Sequence, residues 1–201
     1  MNLFEKIELH LGNHQNIIRF GSPLDFRSAA TLLPFYEQNG ELQIIYIQRA
    51  KSFLPDGREA AHSGQIAFPG GKIENGETEL EAAIREAEEE INLEEKDFTI
   101  VGKLGEFSTH VSGFLTHIFL ARIDGEPDLK MCEDEVADIV AVPVDALLDL
   151  HRPELDAHNW VNVMKLHYHW QVPMTGKEIC IWGMTGRATW CLLEMLNEIG
   201  F

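Results

Sequence analysis

Glu86, Glu89 and Glu90 stand at i, i+3 and i+4 of a strongly helical segment. At about 100° per residue they share one arc roughly 100° wide, so their carboxylates are neighbours on the helix surface. Like charges at these spacings repel, costing the bare helix tenths of a kcal/mol per pair. A hard divalent cation would remove that cost and use the oxygens as ligands. The alternative is an ordinary solvated helix face, the usual meaning of a charge run. Ala82 falls on the same arc one turn earlier, and its small side chain is expected to leave room for an ion and its ligand.

Immediately upstream lies the run His62-Ser-Gly-Gln-Ile-Ala-Phe-Pro-Gly-Gly71. Pro69 followed by two glycines implies a turn, and Gly70 and Gly71 allow the backbone a close approach to a ligand or to the helix. Amides in such a loop can cradle phosphate and carbonyls can ligate a cation. A plain tight turn is the alternative.

These groups must be held by regular elements. Thr78 followed by Glu81 has the capping-box spacing, so a helix is expected over 78–91. Leu80, Ala83, Ile84, Ala87 and Ile91 form its apolar arc, and Glu81 and Glu88 belong to cap and solvent. Strand-like runs occupy 29–36, 42–48, 98–104, 114–123 and 136–142, bounded by turns such as Asn39-Gly40 and Asp124-Gly125. Leu3, Phe4, Ile7 and Leu11 predict a short amphipathic helix, and helical patterns return at 143–150 and 186–199. Residues 50–62 and 151–178 read as irregular. The expectation is a single α/β (α+β) domain spanning 1–201.

The charge is lopsided. The 201 residues carry 33 acids against 16 Lys and Arg, a net −17. That excludes a duplex-binding face and an anionic-membrane surface, both of which need basic patches. Segment 72–95 holds ten acids against Lys72 and Arg85, almost half of the net charge. Cys132, Cys180 and Cys191 show no metal or disulfide spacing and read as packing; a cytoplasmic, reducing setting fits them. The nine histidines offer no tight ligand spacing, and His167 and His169 read as exposed on a strand face. No secretory leader and no apolar run of membrane-spanning length is evident.

Gly71, Glu77, Arg85-Glu86-Ala87-Glu88-Glu89-Glu90 and Asn92-Leu93 resemble the Nudix box, G-x5-E-x7-R-E-U-x-E-E-x-G-U. Asn92 replaces the family's glycine, a mild departure because Asn tolerates the left-handed conformation that ends the helix. The resemblance extends to the coenzyme A pyrophosphatase branch through Arg49, His62 and Gly64 to Gly71. Ser112-Gly113-Phe114, Glu133-Asp134-Glu135-Val136, Val142-Pro143 and Ile181-Trp182-Gly183-Met184-Thr185 are also similar to that branch. Residues 27 to 190 are covered. Between Arg49 and His62 the chain carries about five or six residues more than the branch usually shows, including Leu54-Pro-Asp-Gly-Arg-Glu-Ala60.

The resemblance implies a Nudix fold, a mixed sheet between helices, and hydrolysis of a pyrophosphate bond with Mg2+ or Mn2+. Coenzyme A or its acyl or oxidised forms would be the substrate, giving 3′,5′-ADP and 4′-phosphopantetheine. It implies Glu86, Glu89 and Glu90 as metal ligands, with Glu89, Glu90 and Arg85 counted in catalysis and the Gly70 carbonyl as an added ligand. Glu135 is the candidate general base, with Glu133 and Asp134 as alternatives. Arg85 would pair with Glu77 and hold the loop to the helix. Arg49, His62, Arg58, Gly70 and Gly71 are the substrate-binding candidates, with Lys51 and Lys72 as further basic neighbours. Phe114 and Trp182 would either pack on the substrate or fill the core. ADP-ribose or a dinucleotide is the alternative substrate, and a silent Nudix-fold binding module the alternative role. The intact acidic set argues against the latter. Nucleic-acid decapping is disfavoured by the acidity, and a homodimer is compatible with the reading.

Overall fold

The structure is a computed structural model that describes residues 1–13, 16–18, 26–109, 113–159, 162 and 164–201. Ser112, named above, and His14 and His110, two of the nine histidines, lie outside the described residues.

The β-branched and aromatic runs become strands. They are β1 (Asn16–Ile18), β2 (Arg27–Gln38), β3 (Glu41–Arg49), β4 (Ile66–Ala67), β5 (Gly70–Lys72), β6 (Phe98–Thr109), β7 (Phe114–Ile123) and β8 (Val136–Pro143). Among the described residues they form one mixed sheet, ordered β1-β6-β7-β2-β3-β4, with β5 beside β2 and β8 beside β3. β2 runs parallel to β7, while β3 is antiparallel to both β2 and β8. Asn39 and Gly40 both take positive φ in the β2–β3 turn, which suits the twist of a tight hairpin.

β2 and β3 pair only near that turn, from Phe35↔Ile44 to Gln38↔Glu41. Further back β2 pairs instead with β5, Ala30↔Gly71 and Thr31↔Gly70. The two long strands therefore part company, and the glycine-rich segment enters the opening.

Side chains alternate across the sheet. Ala30, Leu32, Ile45 and Ile47 face the helix α2 (Glu79–Ile91), sharing a buried cluster with Ala82, Ala83, Ala87 and Ile91. Leu33, Phe35, Ile44 and Tyr46 face the other way, onto a larger cluster. The helices α1 (Leu3–Asn13), α3 (Val144–Asp149) and α4 (Gly183–Glu198) contribute Ile7, Leu11, Leu147, Leu192 and Leu196 to it. This is the mixed sheet between helices that the sequence led us to expect, the Nudix arrangement. Among the described residues, no helix is long and apolar enough to cross a membrane.

Two expectations change. Residues 151–178 are not all irregular: Tyr168–Gln171 forms β9, which pairs antiparallel with β10 (Glu178–Ile181) in a separate ribbon. The buried face of α2 is also rotated from its apolar arc. Ala82 is fully buried against the sheet, whereas Leu80 and Ile84 are only half-buried. Ala82 thus lets helix and sheet approach closely and opens no space for an ion.

Candidate active site

Helix α2 begins where the sequence says it should. Thr78 Oγ1 accepts from the Glu81 backbone N–H at 3.2 Å, and Glu81 accepts from the Thr78 N–H at 2.8 Å. Asn92 closes the helix in the left-handed region at φ 56°. These caps satisfy backbone groups that a helix end otherwise leaves open. The downstream loop meets two further carbonyls of the last turn: the Lys130 and Cys132 N–H groups donate to Ile91 and Glu90, at 3.1 and 2.9 Å.

Rotation of the helix sets three different environments for its three carboxylates. Glu90 is buried, with 1% of its side chain exposed. Glu86 is mostly covered, and Glu89 is exposed. The Glu90 carboxylate accepts from the Gly70 N–H at 2.8 Å and lies 3.4 Å from Arg49 Nη1. Burial is the main force on it, pushing its pKa up to about 7 against the opposing pull of Gly70 and Arg49, with Glu86 and Glu135 adding repulsion. Burial also raises the pKa of Glu86, with Arg85 opposing and Glu89 and Glu135 repelling.

Arg85 ties these parts together. Its Nε donates to Glu77 at 2.6 Å and its Nη2 donates to the same carboxylate at 3.2 Å. Nη1 donates to Glu86 and Glu89, each at 3.0 Å, and Nη2 also reaches the Lys72 carbonyl at 3.1 Å. A planar guanidinium can make this fork, and a lysine cannot. The hydrogen bond from Arg85 holds the Glu77 carboxyl below its usual range, while Glu77 raises Arg85. Arg85 thus engages Glu86 and Glu89, whereas Glu90 is held by Gly70 and Arg49.

Gly70 and Gly71 are required by contact. A Cβ on Gly70 would collide with the Ala30 carbonyl and with Thr31, the β2 backbone that it pairs against. A Cβ on Gly71 would collide with the Glu86 carboxylate. The two glycines thus bring a main chain directly against the carboxylates.

Arg49 reaches Glu90 because the β3–β8 ladder shifts register between Gln48 and Arg49. Such a bulge re-aims a side chain at a strand end. The Arg49 N–H donates to the Gln65 carbonyl at 3.0 Å, and the Gln65 side chain meets His62 Nδ1 at 2.9 Å. Gln65 lies inside the motif quoted above, but the sequence gives no separate reason to single it out. Next along the chain, the Ala50 N–H donates to the Glu135 carbonyl at 2.7 Å. That bond and the Cys132–Glu135 turn bring Glu135 close enough to act electrostatically on Glu86 and Glu90.

Arg58 stands apart. It is exposed and paired to Asp56 at 2.7 Å within the 50–61 loop, where Phe53 and Glu59 form an isolated bridge. Trp182 is 44% exposed and Phe114 lies under the Arg27 guanidinium at 4.2 Å, so neither is simple core.

The side-chain oxygens gathered here are hard ones, on Glu86 and Glu90, with Glu89 held by Arg85 and Glu135 repelling both Glu86 and Glu90. Burial of Glu90 beside two other acids leaves a negative charge that one basic partner at 3.4 Å offsets only in part. This chemistry fits a hard divalent cation.

A family model described as NUDIX domain matches residues 25–171. The chain is 30% identical over 181 residues to the uncharacterized Nudix hydrolase NudL of Cronobacter sakazakii, covering 89% of this chain and 86% of that one. It is 29% identical over 182 residues to the protein of the same name from Citrobacter koseri, covering 90% and 86%. The crystal structure of a MutT/nudix family protein from Enterococcus faecalis superposes with a TM-score of 0.55 at 16% identity, covering 99% of this chain and 70% of that one, a likeness of fold. By its matched domain and its relatives, this chain belongs to the Nudix family.

Proposed function

We propose that this chain is a divalent-metal-dependent pyrophosphohydrolase acting on a nucleoside diphosphate derivative, with coenzyme A and its acyl or oxidised forms as substrates. The observation that carries the reading is the buried Glu90 carboxylate, held by Gly70 and faced by Glu86 and Glu135. A fold has little reason to bury Glu90 beside the mostly covered Glu86, with the exposed Glu135 repelling both, unless a cation joins them. The narrower choice of coenzyme A rests on the likeness of Arg49, His62 and Gly64 to Gly71 to that branch.

Glu86, Glu89 and Glu90 would hold Mg2+ or Mn2+, with the Gly70 carbonyl as a further oxygen. When bound, such ions neutralise diphosphate charge and acidify water. The protein supplies the rest. Arg49 lies at the edge of the carboxylate cluster, positioned to meet a phosphate oxygen once Glu90 is neutralised. Glu135 takes the proton of the attacking water as its oxygen bonds to phosphorus and the bridging P–O bond breaks. His62 and Gln65 hold the strand end that carries Arg49. Arg85 is a positioning residue, fixing the loop before the helix. Arg58, already paired to Asp56, would have to exchange that partner to reach a substrate. The larger core that α1 and α4 share with the sheet supports reading the chain as one domain.

Steady-state kinetics on coenzyme A, an acyl-coenzyme A, ADP-ribose and NADH test the substrate assignment. A kcat/KM for coenzyme A at least tenfold above that for ADP-ribose and NADH is expected, a difference of about 1.4 kcal/mol. Equal or lower values would favour a hydrolase of another nucleoside diphosphate derivative.

A further inference from the structure

Away from the carboxylates, the β9–β10 ribbon brings together residues that are well separated in the sequence. Side chains alternate along it: Tyr168, Ile179 and Ile181 are buried, whereas His167, His169 and Glu178 are exposed and Cys180 is half-exposed. The register sets Cys180 directly opposite His169 and Glu178 opposite Gln171. His167 precedes His169 by two positions and so projects from the same face. The ligand atoms of His167, His169 and Cys180 all lie within 4.8 Å of one another.

The detailed geometry suits a metal. His169 Nε2 stands 3.6 Å from Cys180 Sγ. Zinc bonds of about 2.0–2.1 Å to nitrogen and about 2.3 Å to sulfur, at tetrahedral angles, set those two atoms roughly 3.6 Å apart. The other ring nitrogen, Nδ1, is 3.1 Å from the Glu178 carboxylate. A carboxylate there accepts a hydrogen bond from Nδ1–H, orients the ring and leaves the Nε2 lone pair facing the thiol, the usual support of a metal-bound histidine. We propose that His167, His169 and Cys180 form a second metal site, for Zn2+ or a similar borderline-soft cation, distinct from the oxygen-lined cluster.

Two imidazoles and a thiolate discriminate against Mg2+ and Mn2+, which prefer oxygen ligands. Binding releases the Cys180 thiol proton to solvent, and water completes the coordination. The ion would clip the two strands to one another. The ribbon is also anchored to the main sheet, since Lys177 Nζ donates to Gln48 at 2.5 Å and Asp138 at 2.6 Å. The site is independent of the hydrolase reading and stands or falls by its own test.

The test is Co2+ titration of the reduced, metal-stripped full chain in excess Mg2+, which fills the oxygen site. Thiolate-to-cobalt charge-transfer absorption, which a carboxylate site cannot give, is expected to saturate at one equivalent. Cys180→Ser should abolish it, while Cys132→Ser and Cys191→Ser keep it. Glu178→Gln should weaken binding about 10- to 100-fold and His167→Ala or His169→Ala at least as much. His169 is exposed, so its variant supplies a folded second test should Cys180→Ser fold poorly. Zn2+ should raise the melting temperature of the parent protein and not of Cys180→Ser. A parent protein without the absorption band, or a band that survives in Cys180→Ser or is unchanged in His169→Ala, would overturn the proposal.

Discussion

The backbone N–H of Gly70 donates to the buried carboxylate of Glu90 at 2.8 Å, joining the glycine-rich strand to the last turn of α2. The bond sets the distance between a main chain able to face phosphate and a helix carrying acids. It exists because β2 parts from β3 and takes β5 as its partner.

Glu90→Gln tests the charge on that carboxylate. Removing the negative charge while keeping the shape should lower turnover by at least about 100-fold at saturating Mg2+, some 2.7 kcal/mol of lost transition-state stabilisation. Near-parental turnover would remove Glu90 from the proposed metal set.

The same residue makes a pH prediction for the metal-free protein. Its folded pKa, about 7, exceeds the ordinary glutamate value of 4.5, so the folded state holds the proton more tightly. Glu90 therefore contributes most to stability at low pH, and that contribution is lost as pH rises from about 4.5 through about 7. Relative to the parent, Glu90→Gln should melt similarly near pH 5 and higher at pH 8, by on the order of 1–3 kcal/mol in unfolding free energy. Mg2+ should narrow the gap by neutralising the parent's charge. Thermal melts at the two pH values, with and without Mg2+, provide the comparison.

The two glycines should respond differently to alanine. At Gly70 the new methyl meets the backbone of β2, which cannot easily retreat, and a loss of roughly 2 kcal/mol or more is expected. At Gly71 it meets the far end of the Glu86 side chain, which can swing away. Gly71→Ala should then cost under about 1 kcal/mol of stability while cutting turnover at least tenfold. Urea denaturation beside kcat separates the two.

Arg85→Ala should lose both fold and function. It removes a charged fork to Glu77, Glu86, Glu89 and the Lys72 carbonyl. A stability loss of about 1.5–3 kcal/mol is expected. Arg85→Lys should recover only part of it, because an ammonium cannot span those acceptors in one plane. Urea unfolding of the three proteins checks the order.

The legibility of the chain follows the range of its interactions. Thr78, Glu81 and Asn92 act within one helix turn, and both ends of α2 are readable from them. The continuous apolar runs of β2 and β3 are likewise local signals. β5 is not readable, because Gly70, Gly71 and Lys72 have no strand preference and become a strand only by pairing with Ala29 to Thr31. Helical spacing fixes the angles between Ala82 and Glu90 but not which of them meets the sheet. Packing chose Ala82, Ala83 and Ala87 over the larger Leu80 and Ile84, burying Glu90 with them. His169 and Cys180 become neighbours through ribbon register, which no short spacing encodes.

The most direct test of the central claim is to incubate the protein with coenzyme A and Mg2+ and identify the products by mass. The account predicts 3′,5′-ADP and 4′-phosphopantetheine, both absent when the metal is chelated and both strongly reduced with Glu90→Gln. Uncleaved coenzyme A with Mg2+ or Mn2+, or equal cleavage by Glu90→Gln, would contradict it.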